Sequence, residues 1–381
     1  MIRRLVGPHL RALLAKYPAV ALLGPRQAGK TTLARTLGRR DYDLELEPER
    51  LRLDMQWNEI VKSRSLVVLD EAQAYPDIFP RLRAAIDQDR SRRGRFLLLG
   101  SVSPALARQV SESLAGRLAL CELTPFLAPE RPAAHCDRLW LRGGYPDGGI
   151  LDPGRFPDWQ VHYIELLAQR DLPQWGFPAK PRTTIRFLKM LAACHGAVWN
   201  ASDIGRSLGL SYHTVNAYLD YLDGAFLVRR LSPFHGNVRK RLTRSPKIYW
   251  RDSGLLHALL GVSTPDDLLT RPWVGASWEG FVVEQVHGLL NALGKRFESS
   301  FLRTSDGQEI DLVLDLAGGR WAIEIKLTSS PGSRDMGRLD KTALLVRADR
   351  RVLVSRAPLT VESGERVSTN LRGLMELLRK A

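Results

Sequence analysis

The sequence predicts an α/β protein of several domains, and three observations carry this prediction. A glycine-rich loop joins an apolar strand to a helix at residues 24–31, two helices flank a tight turn at 201–222, and two strands flank a Gly-Gly pair at 309–327. A chain of 381 residues also exceeds the length of one ordinary core. We place an α/β core, a helical lid or linker, a winged helix and a last α/β domain at residues 1–135, 136–182, 183–250 and 251–381.

Composition limits the classes of partner. The chain is 44% hydrophobic and 25% charged, which is typical of soluble globular proteins, but its net charge of +15 favours a polyanionic partner. No segment approaches the roughly 18 uncharged apolar residues of a membrane span, so we expect no membrane partner. The charged N-terminus predicts an amphipathic helix rather than a signal peptide. Three cysteines without metal-ligand spacing favour a reducing, cytoplasmic location.

The most specific motif is GPRQAGKT at residues 24–31, which matches the phosphate-binding loop pattern and follows an apolar strand at 19–23. Backbone N–H groups of such a loop and of the helix behind it cradle phosphate oxygens. Lys30 is placed to reach the β- and γ-phosphates of ATP, and the Thr31 hydroxyl is placed to bind Mg²⁺. We expect the ATP-binding residues to be Gly24, Pro25, Arg26, Gln27, Ala28, Gly29, Lys30, Thr31 and Thr32.

Two further strands are expected to complete this site. The apolar run at 66–69 ends in Asp70 and Glu71, roughly 40 residues after the loop. Asp70 would hold Mg²⁺ through water, and Glu71 would polarise the attacking water. The strand in GRFLLLG ends just before Ser101, which would contact the γ-phosphate or that water. An N-cap role for Ser101 is the alternative, and the two roles are compatible.

Arg117 follows a glycine in a turn between a helix and the next predicted strand. An arginine in that position can reach a nucleotide in a neighbouring subunit and stabilise transition-state charge. The alternative is an ordinary surface arginine. If Arg117 is such a finger, the protein acts as a homo-oligomer, for which a hexamer is one candidate.

A helix-turn-helix pattern occupies residues 201–222, with strands from Phe226 onward as the wing. In DNA-binding proteins of this type the second helix enters the major groove. Eight basic residues and no acid lie between 226 and 251, which favours contact with DNA phosphates over the alternative of a protein-interaction module. The predicted DNA contacts are His213, Asn216, Arg239, Lys240, Arg241 and Arg244.

The last domain carries the pattern of a metal-dependent nuclease. The helical carboxylate of this pattern is Glu279, with Glu284 as the second choice. Asp311 lies on the first strand of the 309–327 pair, and Glu324 and Lys326 lie on the second strand. On a strand Glu324 and Lys326 point to the same face. Three carboxylates and a lysine can bind Mg²⁺ and position a water for phosphodiester attack. Such a core can also persist as a binding scaffold, so catalysis is left open.

The stretches GPRQAGKTT, LVVLDEAQ, LLLGSVSP, SLAGRL and RGGYP, followed by YIELLAQRDLP, KIYWRDSGL and GASWEGFVVEQV, resemble a known family. The chain is similar, over residues 1 to 345, to the prokaryotic AAA-type ATPases that carry a C-terminal DUF4143 domain. The resemblance implies a P-loop AAA-like ATPase domain, a winged-helix region and a C-terminal restriction-endonuclease-like domain.

Taken together, these patterns predict a Mg²⁺-dependent ATPase that acts on DNA. The first hypothesis is an oligomeric motor or remodeller, of the helicase or translocase kind, in repair or recombination of branched DNA. The second is an ATP-regulated, metal-dependent nuclease that uses Asp311, Glu324 and Lys326. The third is a nucleotide switch whose winged helix binds another protein.

Overall fold

The computed structural model describes residues 2–38, 40–100, 114–236 and 243–381. The predicted site residues Ser101, Arg239, Lys240 and Arg241 lie outside these ranges. The chain divides into two compact units. The N-terminal unit consists of Met1–Phe126, Gly224–Phe226 and Asn291–Leu293, and the C-terminal unit consists of Leu127–Asp223, Leu227–Leu290 and Gly294–Ala381. Among the described helices, none is long and apolar enough to cross a membrane.

A parallel five-stranded sheet forms the centre of the N-terminal unit, with strand order β2-β3-β4-β1-β5. The three strands predicted at 19–23, 66–69 and before Ser101 are confirmed, because their apolar runs are buried in this sheet. The strands are β1 (Ala19–Leu23), β2 (Arg40–Asp43), β3 (Val67–Asp70), β4 (Phe96–Gly100) and β5 (Leu118–Glu122).

Helices cover both faces of this sheet. Alternate residues of β1 point to opposite faces, so Ala19 and Ala21 join one hydrophobic cluster while Val20 and Leu22 join the other. The predicted amphipathic helix at the N-terminus is confirmed, since Leu10 packs in the second cluster. The helices of this unit are α1 (Gly7–Lys16), α2 (Lys30–Ala34), α3 (Glu47–Lys62) and α4 (Ile78–Gln88).

The C-terminal unit begins with a group of helices. The predicted helix-turn-helix pair is present, and the turn depends on Gly209, whose φ of +68° favours glycine. A π-helical turn, Leu167–Asp171, joins α6 to α7. The helices are α5 (Cys136–Arg142), α6 (Asp158–Leu166), α7 (Leu172–Gln174), α8 (Pro181–Ala193), α9 (Ala201–Leu208), α10 (Tyr212–Gly224), α11 (Ser253–Leu259) and α12 (Pro265–Leu269).

An eight-stranded mixed sheet follows, with strand order β12-β13-β11-β10-β9-β8-β6-β7. Its strands are β6 (Val228–Pro233), β7 (Lys247–Trp250), β8 (Phe297–Arg303), β9 (Glu309–Leu316), β10 (Gly319–Ile325), β11 (Arg350–Ser355), β12 (Val361–Ser363) and β13 (Arg366–Asn370). The remaining helices are α13 (Val274–Ala292), α14 (Ser333–Val346) and α15 (Leu371–Lys380).

The hairpin predicted as a wing continues this sheet. Strand β6 pairs antiparallel with β7 and parallel with β8, through Ser232 with Ser300 and Pro233 with Phe301. No pattern in the sequence predicted this pairing, because it joins segments almost 70 residues apart. The hairpin predicted as the wing and the predicted nuclease-like segment therefore share one sheet.

Candidate functional site

The predicted phosphate loop connects β1 to α2 and depends on two glycines. A Cβ at Gly24 would lie 2.1 Å from the carbonyl oxygen of Leu123, so a larger residue would collide with backbone. Gly29 has φ of +93°, which side chains rarely adopt, and it directly precedes the first residue of α2. The strand-loop-helix context that the motif requires is thus present.

Lys30 is buried at the base of this loop. Its Nζ donates hydrogen bonds to the carbonyl oxygens of Gly24 and Pro25, both at 2.9 Å. Burial lowers the pKa of Lys30 to about 8, against the opposing effect of the Glu71 and Asp70 carboxylates. Both acceptors are neutral groups of the loop itself, so the ammonium can exchange them for phosphate oxygens, which bind it more strongly.

Thr31, Asp70 and Glu71 lie together at the carboxyl end of β3. The Thr31 hydroxyl donates to Asp70 Oδ2 at 2.6 Å, and the Glu71 N–H donates to Asp70 Oδ1 at 3.0 Å. A hydroxyl and a carboxylate side by side are hard oxygen donors of the kind that suits Mg²⁺. Burial raises the pKa of Glu71, although Lys30 opposes the shift, and a raised pKa suits a general base.

Arg4 supports the same loop and was not found from the sequence. Its guanidinium donates to the Ala28 carbonyl at 2.9 Å and to the Thr124 carbonyl at 2.5 Å, and it stacks 4.4 Å over the Phe126 ring. The side chain therefore ties the loop to the segment that follows β5. In the sequence Arg4 is one of many basic residues, and only the fold distinguishes a buried arginine from an exposed one.

Arg117 lies in a turn beside α4. Its guanidinium donates two hydrogen bonds to the Asp87 carboxylate, at 2.9 and 2.8 Å. Asp87 also pairs with Arg90 at 2.9 Å. These contacts hold Arg117 against its own subunit, and its role as a finger stays a prediction.

The described candidates for DNA contact differ in whether their side chains are exposed or already hydrogen-bonded within the protein. His213 is exposed on α10, and Arg244 is exposed just before β7. The Asn216 amide is engaged inside the protein, because its oxygen accepts from Trp199 Nε1 at 2.8 Å and its nitrogen donates to the Tyr212 carbonyl at 3.2 Å. Base contact by Asn216 would require these hydrogen bonds to break.

The interpretation of residues 226–251 as uncompensated basic charge needs correction. The structure describes five of the eight basic side chains, and four of these pair with acids that the fold brings from other elements. The pairs are Arg229 and Arg251 with Glu284, Arg230 with Asp220, and Lys247 with Glu279 and Glu309. Acids distant in sequence cannot be counted in a sequence window, so the window overstated the charge available for phosphate.

The predicted nuclease-like residues gather around Lys247, which extends from β7. Its Nζ lies 2.8 Å from Glu279 Oε1, 2.6 Å from Glu309 Oε1 and 4.0 Å from Asp311 Oδ1. Burial alone would lower the pKa of Lys247, but the Glu279, Asp311 and Glu309 carboxylates outweigh it and raise the pKa. Neither Lys247 nor Glu309 was identified from the sequence. The lysine that begins the otherwise apolar and aromatic run KIYW at 247–250 is the signal that could have identified Lys247.

The other members of this acidic cluster also have partners. Asp311 Oδ2 accepts a hydrogen bond from the Ile325 N–H at 2.8 Å, and Glu324 pairs with Lys326 at 2.5 Å. Burial and the neighbouring Glu279 carboxylate raise the pKa of Asp311 well above its usual range. In the part of the chain that the structure describes, no three His, Cys, Asp or Glu side chains are arranged to hold a metal ion.

Glu284, the second choice for the helical carboxylate, belongs to a separate ion cluster. It pairs with Arg229 and with Arg251, the latter at 3.1 Å. Burial would raise the pKa of Glu284, but the two arginines outweigh burial and lower it to about 2. The structure thus brings Glu279, rather than Glu284, to Asp311.

Three family models match consecutive parts of the chain. An AAA domain matches residues 16–131, and two domains of unknown function, DUF8612 and DUF4143, match residues 133–266 and 274–372. An uncharacterized protein of Mycobacterium tuberculosis, Rv2008c, is 42% identical over 342 residues, which cover 88% of this chain and 76% of the relative. An uncharacterized protein of Mycobacterium bovis, Mb2031c, matches with the same identity and coverage.

Solved structures align more distantly. The Walker-type ATPase of Pyrococcus abyssi is 16% identical with a TM-score of 0.48, covering 68% of this chain and 96% of that one. AMPPCP-bound DnaA from Aquifex aeolicus is 14% identical with a TM-score of 0.28, covering 56% of this chain and 86% of that one. These likenesses are too weak to add to the family models.

Proposed function

Because the chain belongs to the family of AAA-type ATPases that carry a C-terminal DUF4143 domain, we propose that it hydrolyses ATP and couples hydrolysis to action on DNA. One observation supports the first half above all. The fold brings Thr31 and Asp70 within 2.6 Å of each other, beside the buried Lys30 and with Glu71 next along the chain. Nothing in a purely structural loop requires these four groups to meet.

The proposed chemistry assigns one task to each side chain. Lys30 exchanges the Gly24 and Pro25 carbonyls for β- and γ-phosphate oxygens, while loop N–H groups bind the remaining phosphate oxygens. Thr31 and Asp70 would hold Mg²⁺, which would supply positive charge to neutralise the phosphates. Glu71 orients the attacking water and accepts its proton.

Two further residues support this chemistry. Ser101 is proposed to contact the γ-phosphate or the attacking water. Arg4 keeps the loop in position through the Ala28 carbonyl, and so acts as a positioning residue.

The second half of the proposal concerns DNA. Helices α9 and α10 with the β6–β7 hairpin are proposed to form a winged helix, with α10 in the major groove. The net charge of +15 supports a polyanionic partner, and exposed His213 and Arg244 join the predicted contacts Arg239, Lys240 and Arg241. Recognition of DNA through its phosphates and shape would suit branched DNA. We propose that the protein acts on such DNA in repair or recombination, as an oligomer of the helicase or translocase kind.

The test measures ATP hydrolysis with no DNA and with single-stranded, duplex, forked and four-way DNA. We expect DNA to raise the rate, with the largest increase on branched forms. Glu71→Gln should bind ATP but turn it over 10²- to 10⁴-fold more slowly, the range for loss of a general base. Lys30→Ala should lose nucleotide binding and serves as the background control. A rate that no DNA changes would instead favour a nucleotide switch whose winged helix binds a protein.

Assembly is tested through Arg117, with Arg90 as the matched control. Both arginines pair with Asp87, so substitution of either removes an exposed ion pair that contributes little to stability. If Arg117 is a finger, Arg117→Ala should bind ATP but hydrolyse it a thousandfold or more slowly, while Arg90→Ala keeps its rate. Mixing Arg117→Ala with Lys30→Ala should restore activity at mixed interfaces. Full activity of Arg117→Ala, or of a monomer with ATP and DNA present, would argue against this role.

A further inference from the structure

Strand β7 delivers two polar side chains to the acidic cluster. Lys247 and Tyr249 alternate with Ile248 and Trp250, so they share one face of the strand. The Lys247 ammonium and the Tyr249 hydroxyl both donate to Glu279 Oε1, at 2.8 and 2.5 Å. Lys247 is only 2% exposed, so its charge is compensated by the Glu279 and Glu309 carboxylates rather than by water. The hairpin and α13 are thereby joined by an ion pair between the buried Lys247 and the partly buried Glu279.

We propose that the Lys247 ammonium is the built-in cation of this cluster, and that the cluster takes no divalent metal and does not cut DNA. This inference does not depend on the proposed ATPase activity. A restriction-endonuclease-like domain implies a metal at Glu279, Asp311 and Glu324, but the residues around these carboxylates do not fit a metal.

Position is the first argument for this inference. A metal shared by Glu279 and Asp311 would need to contact oxygens from both, at 2.0–2.1 Å for Mg²⁺. The Lys247 Nζ already lies 2.8 Å from the first carboxylate and 4.0 Å from the second. A dication bound there would lie against a buried ammonium, and like charges in a site with little water repel strongly.

Hydrogen bonding is the second argument. Glu279 accepts from Lys247 and Tyr249, Asp311 accepts from the Ile325 N–H, and Glu324 pairs with Lys326. All three predicted metal ligands therefore have partners within the chain. In a buried site these charge-assisted contacts are stronger than ordinary hydrogen bonds, and a metal would have to displace them.

The experiment uses the full-length protein, freed of metal by chelation, and follows thermal unfolding as Mn²⁺ is added without nucleotide. We expect wild type to be insensitive to millimolar Mn²⁺. Lys247→Met, which keeps length and removes charge, should unfold at lower temperature and recover part of the loss with Mn²⁺. Lys326→Met is the matched control: it removes the half-exposed lysine but leaves Lys247 on Glu279, and should not become Mn²⁺-dependent. The double variant Lys247→Met/Glu279→Gln should lose the Mn²⁺ response.

Two outcomes would overturn the inference. One is a Lys247→Met protein that is folded by circular dichroism yet insensitive to Mn²⁺. The other needs no folded variant at Lys247. In that outcome, Mn²⁺ stabilises the wild-type protein, or the wild-type protein cleaves plasmid with Mg²⁺ or Mn²⁺. In either case Glu324→Gln abolishes the effect. Absence of both effects in wild type supports the inference even if Lys247→Met fails to fold.

Discussion

Two buried lysines, one in each unit, have opposite environments. Lys30 and Lys247 are 6% and 2% exposed, and each lies near carboxylates at the end or edge of a sheet. Lys30 donates to two backbone carbonyls of its own loop, whereas Lys247 donates to the Glu279 and Glu309 carboxylates. The pKa of Lys30 is lowered to about 8, while that of Lys247 is raised.

The difference shows that the partner, rather than burial, decides what a buried lysine can do. Backbone carbonyls satisfy an ammonium only as neutral acceptors, so an incoming phosphate oxygen is a better partner and can replace them. Carboxylates satisfy it as counter-ions, so no anion gains by displacing them and a metal cation is repelled. We therefore propose Lys30 as a ligand-binding group and Lys247 as a structural one.

The largest expected effect that tests this comparison is on stability. Replacing Lys247 by Met should lower the free energy of unfolding of the C-terminal unit by up to about 3–5 kcal/mol, the cost of breaking a fully buried ion pair, because Asp311 and the largely buried Glu279 lose their cation. Replacing Lys30 by Met should lower the free energy of unfolding of the N-terminal unit by less, about 1–2 kcal/mol, because only neutral carbonyl acceptors lose their partner. Chemical denaturation, followed separately for each unit, measures both values.

The same measurement carries its own control. Added ATP with Mg²⁺ should stabilise wild type and Lys247→Met but not Lys30→Met, since only a protein that binds the nucleotide is stabilised by it. Equal losses of stability for the two lysine variants would remove the distinction between them.

A smaller effect should appear in the pH dependence of ATP binding. With a pKa of about 8, Lys30 is protonated at pH 7 and mostly neutral at pH 9. Because the phosphates favour the ammonium form, the protein must take up a proton to bind ATP above pH 8. Apparent affinity should therefore fall about tenfold between pH 7 and pH 9, as linkage requires. Calorimetric titration across this range measures the fall.

Lys30→Arg is the control for this prediction. Arginine stays charged throughout the range, so any residual ATP binding by this variant should be nearly independent of pH. A wild-type affinity that is constant from pH 7 to pH 9 would mean that Lys30 keeps its proton, and that its environment resembles that of Lys247 after all.

The sequence by itself determined the features that are local. The strand, loop and helix around Gly24 to Thr31 were predictable because a few adjacent residues fix the turn, its glycines and the helix start. The helices on either side of Gly209 and the strands on either side of the Gly318-Gly319 pair were predictable because apolar periodicity and turn residues act over short distances.

Only the tertiary structure decided which charges meet. It placed Lys247 on Glu279 across 32 residues and Arg229 on Glu284 across 55, and it brought Arg4 under the phosphate loop. It also paired the hairpin with β8. Electrostatic energy depends on distance in space and on local water, neither of which is written along the chain. For that reason the sequence predicted a basic hairpin and a metal-binding cluster, whereas the fold joins the two through the ion pair of Lys247 with Glu279.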